Sequence, residues 1–377
     1  MNVTEIRNWL LEKAPKKLQS LWSEADSVRW KNVGNDVFLR GLVEISNICR
    51  RNCLYCGIRS GNATTELYRL PMAELIETAK LAKRLGYGTI VIQSGEDYGI
   101  RTKEISETIL SIKRETGLAI TLSLGERSDP MDYRRWFESG ANRYLLRFET
   151  SNQKLFRAIH PPPPGGIPVD RLETLQQLRE IGYEIGSGVM AGIPGQSWDD
   201  LARDIELFEK LELDMIGCGP FLPHPETPLG KMFDTDPATG LFKPGPLTDE
   251  QTRFFEENGI PILDPEEQVV CDEHLPFKVI ALARLVCPMA NIPTTTAIAT
   301  IDPKHGRLLG LSRGANVVMP NLTPTRYRKM YEIYPNKAAS FESPEQTHET
   351  AVRQILELGR SIGQGSGTSP RFSKQTL

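Results

Sequence analysis

Cys49, Cys53 and Cys56 stand in a C-x3-C-x2-C spacing on one short stretch, residues 45–59. Three thiolates can hold three irons of a cubane, whereas a [4Fe–4S] cluster normally takes four Cys ligands. The fourth iron is then open to a ligand that is not protein. Such an iron beside a bound small molecule is a chemical site, while a fully ligated cluster mainly carries electrons. Zinc sites use paired C-x2-C knuckles and four protein ligands. No second knuckle follows, since Cys218, Cys271 and Cys287 are scattered. A thioredoxin-like motif would be a lone C-x-x-C in a different setting. Six Cys in 377 residues and no visible secretory signal fit a disulfide framework poorly. The loop reads first as an iron–sulfur site, with zinc binding and thiol redox chemistry as the remaining alternatives.

The surrounding elements place that loop. Residues 41–45 form an apolar run that enters it as a strand. Pro71, with Glu74 in the first turn, opens a helix after it. In barrels of repeated strand–helix units, catalytic groups gather at the C-terminal ends of the strands. Further β-rich runs fall at 89–93, 118–124, 142–147, 184–190, 214–218, 292–298 and 315–320. Helical patterns lie between them, several ending at Gly86, Gly117 or Gly182. The alternation implies a parallel α/β sheet with right-handed crossovers. Eight units predict a (β/α)8 TIM-type barrel, with a doubly wound open sheet as the alternative. Residues 1–35 carry helical periodicity and read as an N-terminal flank. The barrel is expected over 36–345, with a turn-rich insertion after the sixth strand at 231–273. Residues 346–377 read as a C-terminal helix and a disordered tail. A stiff Pro161–Gly166 connector precedes the helix that begins near Val169.

Composition excludes several functions. Lys and Arg number 45 against 48 Asp and Glu, a net charge of −3. That balance argues against nucleic acid or an anionic membrane as the main partner. No run approaches the ~18 apolar residues of a membrane helix. The N-terminus lacks a basic region followed by an apolar core, so a reducing cytoplasm is the expected location.

Several segments together resemble the radical S-adenosylmethionine (radical SAM) superfamily over roughly residues 43–334. These are NCLYCGIR at 52–59, QSGED at 93–97, LSLGE at 122–126, YLLRFET at 144–150, GIPGQ at 192–196, GPFLPHP at 219–225 and NLTPTRY at 321–327. Within the superfamily they look most like the HydE group of FeFe-hydrogenase maturases, neighbours of biotin synthase and 3-methylornithine synthase. The resemblance implies a [4Fe–4S] cluster on Cys49, Cys53 and Cys56. It also implies SAM at the open iron, cleaved reductively to a 5′-deoxyadenosyl radical. The cofactors do that chemistry, and the barrel positions them and keeps water out.

The resemblance also implies residue roles. Tyr55 contacts the adenine. Ser94 and Gly95 admit the methionyl group, and Glu96 receives its amine. Glu149 serves SAM and Arg147 the substrate. Arg171 holds the SAM carboxylate, and Met190, Gly192, Ile193 and Pro194 line the adenine site. Thr121, Ser123, Thr295, Thr296 and Tyr327 are expected around the substrate. Each has a plainer reading: a core aromatic for Tyr55, helix capping for Glu96, an ion pair for Arg147 and Glu149, a surface arginine for Arg171, a core turn for 190–194, β propensity for the hydroxyls and loop packing for Tyr327.

Some HydE proteins carry further C-terminal cysteines. Residues 336–342 lack them, so one cluster is expected. The implied partners are a small-molecule or organometallic, cysteine-derived substrate, a reductant such as flavodoxin or ferredoxin, and other hydrogenase maturases. A 3-methylornithine synthase-like mutase and a non-enzymatic iron–sulfur carrier are the competing readings. A mutase pocket should clamp amino and carboxylate groups with an acid–base pair, whereas threonine-rich strand ends favour the maturase.

Overall fold

The computed structural model describes residues 1–163, 169–236, 240–242, 245–335, 337 and 341–375. Parts of three expectations lie outside these residues: the end of the proline connector, Pro237 and Pro244 of the insertion, and most of the 336–340 stretch.

Eight parallel strands form the frame: β1 (Asp36–Ser46), β2 (Thr89–Ser94), β3 (Ala119–Ser123), β4 (Arg143–Leu145), β5 (Glu184–Ser187), β6 (Met215–Ile216), β7 (Pro293–Thr294) and β8 (Val317–Val318). They pair in the order β6-β5-β4-β3-β2-β1-β8-β7. The ring is completed where Ile216 N–H donates to Asn291 O at 2.9 Å and Asn291 N–H donates to Asp214 O at 2.8 Å. The TIM-type barrel is therefore the observed architecture, and an open sheet is not.

Alternation explains why these sequences make a barrel with a polar interior. Val37, Leu39, Val43 and Ile45 of β1, Ile90 and Ile92 of β2, and Ile120 and Leu122 of β3 face outward into one apolar core with the helices. Their neighbours Arg40, Glu44, Thr89, Gln93, Thr121 and Ser123 consequently face the lumen. The helices supply the other half of the core. Trp198–Lys210 starts at a Ser197/Asp200 capping box and buries Leu201, Ala202, Ile205 and Phe208. The flanking helices Val3–Leu11 and Pro15–Val33 pack against Trp198–Lys210 and Leu275–Val286.

Three expectations need correction. The run at 292–298 is strand only over Pro293–Thr294, and Thr296–Ile301 is helix. Its β-branched residues suit a strand, but backbone bonding prevails, with Ala299 N–H donating to Thr295 O at 3.3 Å. The run expected at 142–147 is strand only over Arg143–Leu145, so β4 ends before Arg147. The tail is not loose, because Ser361–Ile362 pairs with the start of β1 and residues 366–369 run beneath the barrel.

Candidate active site

The cysteine loop leaves β1 at Ser46 and is braced from several sides. Asn47 Nδ2 donates to Glu66 O at 2.7 Å and to Met330 O at 2.9 Å. Leu54 N–H reaches Ile159 O at 2.9 Å, and Gly57 N–H reaches Ile333 O at 3.0 Å. The three thiols are free, and Cys53 is buried. Burial raises all three above the ordinary thiol range, with Cys56 pushed up to about 12, and the charge of neighbouring thiols adds to the rise at Cys53 and Cys56. Among the described residues, no trio of His, Cys, Asp and Glu is close enough to share a single ion.

Gly95 follows β2 and packs onto this loop. A Cβ there would collide with Ile48 O and meet Cys49 Cβ at 2.9 Å. Its glycine is thus required by the cysteine loop itself. Glu96 N–H points at Cys49 Sγ, 3.4 Å away. Ser94 Oγ turns back to Gly95 O at 2.6 Å.

Four buried charges sit beside the loop. Arg51 pairs with Glu126 and lies 3.2 Å from Glu96. Arg171 Nε donates to Glu126 at 2.6 Å, its Nη2 lies 3.7 Å from Glu96, and its Nη1 donates to Arg147 O at 2.6 Å. Burial and the Glu126 charge raise Glu96. Burial also works against ionised Glu126, but Arg171 and Arg51 outweigh it and hold its carboxyl below the usual range. Arg171, expected at the SAM carboxylate, is committed to this quartet and lies over the Phe156 ring at 5.4 Å.

Next to the quartet is an aromatic corner. Tyr55 Oη lies 2.6 Å from His160 Nε2, and the His160 ring stacks on Phe156 at 4.5 Å. Burial, then Arg171, keeps His160 well below its ordinary value, so it is neutral. Its Nδ1 has no partner among the described residues. Tyr55 packs with Met190 and Ile193 in one cluster. Gly192 and Gly195 are left-handed, at φ 85° and 88°, and turn the chain back under Ile193.

Arg147 and Glu149 approach to 3.0 Å, yet Arg147 Nε and Glu149 Oε2 make no aligned hydrogen bond. Glu149 also holds a left-handed backbone at φ 62°, a strained state for a residue with a side chain. Strand alternation cannot explain their proximity once β4 has ended. A bridge from Glu149 to Val189 does: Glu149 N–H bonds Gly188 O and Met190 N–H bonds Glu149 O, both at 3.1 Å. Deeper in the lumen, Thr121 is fully buried, and its hydroxyl has no partner among the described residues. Thr295 Oγ1 donates to Cys218 O at 3.2 Å, and Thr296 opens a helix. Tyr327 stacks on Tyr68 at 5.0 Å, in a small cluster that includes Cys56.

A strap over 327–335, with Lys337 beyond it, crosses the mouth. Gln93 Nε2 donates to Tyr331 Oη at 3.2 Å, Tyr334 bonds Thr296 and Thr300, and buried Lys337 pairs with Glu44. Arg51, Glu126, His160, Tyr334 and the Lys337–Glu44 pair have no role in the sequence reading. Arg51 and Glu126 do stand inside its motif segments, and that is the signal that could have found them.

Residues 43–208 match the Radical SAM superfamily. Over 354 residues the chain is 40% identical to the [FeFe] hydrogenase maturase subunit HydE of Thermotoga maritima, covering 94% of this chain and 89% of that one. The chain belongs to the radical SAM superfamily. This radical SAM protein is also 28% identical to 3-methylornithine synthase of Methanosarcina acetivorans over 99% of its length and 92% of the relative's. A crystal structure of methylornithine synthase (PylB) matches at TM-score 0.75 and 23% identity, covering 96% and 94% of the two chains, which establishes the shared fold.

A radical SAM enzyme uses a [4Fe–4S] cluster and SAM, and the residues present suit both. Three thiols lie on one braced loop, and polar atoms of Arg51, Arg147, Glu149 and His160 without a hydrogen-bond partner among the described residues lie on this loop and the elements around it. Cys49, Cys53 and Cys56 would hold the cluster, as thiolates once metal binds. The cluster and SAM, when bound, supply the 5′-deoxyadenosyl radical. The chain's own groups brace the loop, balance charge beside it and enclose the lumen.

Proposed function

We propose that this enzyme is a HydE-type maturase acting in assembly of the FeFe-hydrogenase active-site subcluster. The observation that carries the reading is 40% identity to HydE along nearly the whole of both chains. The lumen supports it. Its C-terminal half offers Arg147, Thr121, Ser123 and Gln93, a cation with neutral hydrogen-bonding groups, which suits a small anionic or zwitterionic, cysteine-derived compound. In this reading Tyr55, Met190, Gly192, Ile193 and Pro194 bracket the adenosyl group. Ser94, Gly95, Glu96, Glu149 and Arg171 flank the methionyl end, while Thr295, Thr296 and Tyr327 border the substrate.

A single cluster is part of the proposal, since Cys218, Cys271 and Cys287 are buried in the apolar core. So are a flavodoxin- or ferredoxin-type reductant, other maturases as partners, and a cytoplasmic location. No helix among the described residues is long and apolar enough to cross a membrane. A mutase of the 3-methylornithine synthase type is the second reading, favoured by the full-length similarity to that enzyme.

Two measurements test the proposal. The anaerobically reconstituted, reduced protein should convert SAM to 5′-deoxyadenosine and methionine. Deleting the gene should abolish FeFe-hydrogenase activity in its host. Intact hydrogenase activity would leave the mutase reading ahead.

A further inference from the structure

The long segment after β6, described over residues 228–236, 240–242 and 245–271, is the part of this chain that the site described so far leaves without a task. It is not an independent flap. Leu229, Phe233, Phe242, Phe255 and Ile260 form one buried cluster with Leu54, Leu155, Ile159, Met190, Ile193 and Phe221, separate from the main barrel core. Phe233 and Phe242 meet edge to face at 4.7 Å. Leu54, between the second and third cysteines, is held on one side by Ile159 O and on the other by Leu229 N–H, which donates to Leu54 O at 3.0 Å.

The far end of the segment grips the opposite wall by polar contacts. Gln268 is buried. Its Oε1 accepts from Gly195 N–H at 2.8 Å, and its Nε2 donates to Ile193 O at 3.1 Å and to Val269 O at 2.9 Å. Val269 N–H adds a bond to Gln196 O at 2.9 Å, and Trp198 N–H reaches Glu267 O at 3.1 Å. The left-handed Gly195 is part of this fit, because a Cβ there would lie 2.7 Å from Ile260 Cγ2. This segment therefore holds both the Tyr55-bearing loop and the 190–195 turn, whose side chains pack together in the same cluster.

We propose that residues 228–236, 240–242 and 245–271 are a fixed outer wall of the nucleoside end of the SAM site, and that Gln268 is a positioning residue for SAM. The proposal rests on the adenosyl assignment of Tyr55 and the 190–194 turn, and not on the hydrogenase reading. Pre-setting both walls removes an ordering cost that SAM would otherwise meet on binding. Removing Gln268 leaves Gly195 N–H buried without its partner and takes one of two donors from Ile193 O, which keeps Gln196 N–H at 2.9 Å, and so loosens the turn.

The test uses the reconstituted full-length protein. Equilibrium SAM binding, iron content, melting temperature and the EPR spectrum of the reduced cluster with and without SAM are compared among variants. Gln268→Ala should bind SAM about 10-fold more weakly, in keeping with the loss of its two buried bonds to the turn, with iron content and the SAM-free spectrum unchanged. Phe233→Ala should act in the same direction. Gln268→Glu keeps the acceptor for Gly195 but loses the donors, and should weaken SAM as well, so the test survives if the alanine variant folds poorly. Leu21→Ala, in the N-terminal flank, controls for lost stability. SAM affinity of Gln268→Ala within two-fold of wild type, or a loss that Leu21→Ala reproduces at equal melting temperature, overturns the proposal. Tyr55→Ala separates the two layers. If it too leaves SAM affinity unchanged, the adenosyl assignment falls. If it weakens SAM while the Gln268 variants do not, only the role of the insertion falls.

Discussion

The quartet of Arg51, Glu96, Glu126 and Arg171 keeps two cations and two anions beside the cysteine loop with little water. Removing one partner from such a set strands the others, which costs more than the pair itself contributes. Glu126→Gln should therefore destabilise the fold by about 3 kcal/mol, measured by denaturant unfolding of the metal-free protein. A change under about 0.5 kcal/mol would mean that the two arginines find other partners. Part of this quartet was legible in the chain. Glu96 and Arg171 stand where the family resemblance looks for SAM contacts. Glu126 was hidden because its partners Arg51 and Arg171 are 75 and 45 residues away. Arg51 was hidden because a basic residue between cysteines also suits an exposed loop.

At the scale of elements, Asp204 joins the segment after Glu149 to the 190–196 turn. Its Oδ1 accepts from Ser151 N–H at 2.6 Å and from Ser151 Oγ, and its Oδ2 accepts from Gln196 Nε2 at 3.2 Å. Gln196 Oε1 in turn accepts from Gly192 N–H at 2.8 Å. Burial pushes the Asp204 carboxyl from 3.8 up to about 7, with Asp200 adding to the rise and the bonds from Ser151 and Gln196 opposing it. A raised folded pKa means that the native state holds a proton the unfolded chain has released. The contribution to stability is then full below pH 3.8 and drains away as pH rises to about 7, by a total on the order of 4 kcal/mol. Asp204→Asn should lose that decline, whatever its absolute stability. Unfolding free energies of both proteins between pH 5 and 7 check this, and parallel pH profiles would refute it. The helix carrying Asp204 falls among the helical patterns expected between the strands. Its link to the turn was not, because hydrogen bonding across elements leaves no periodicity.

At the scale of the molecule, the polar tail closes the barrel floor. Arg40 Nη2 donates to Gly367 O at 2.9 Å, Thr89 Oγ1 to Ser366 O at 2.8 Å, and Arg143 Nη2 to Ser366 O and Thr368 Oγ1, both at 3.0 Å. Ser369 N–H reaches Glu184 at 2.8 Å. Gly88 lacks a side chain where Gly365 O passes. Truncation after Arg360 should cost on the order of 5 kcal/mol, because charged groups lose buried partners. A lowered melting temperature is the expected result, and an unchanged one would show that water replaces the tail.

The sequence by itself determined the cysteine spacing, the eight alternating units and the family, because ligand spacing and hydrophobic period are local properties of the chain. Only the tertiary structure decided which polar residues meet. Arg40 and Arg143 find a glycine-rich tail about 225–330 residues further along the chain, and the insertion closes on the Tyr55 loop. These contacts arise because buried charges and backbone groups take the nearest partner in space, a partner that sequence distance does not encode.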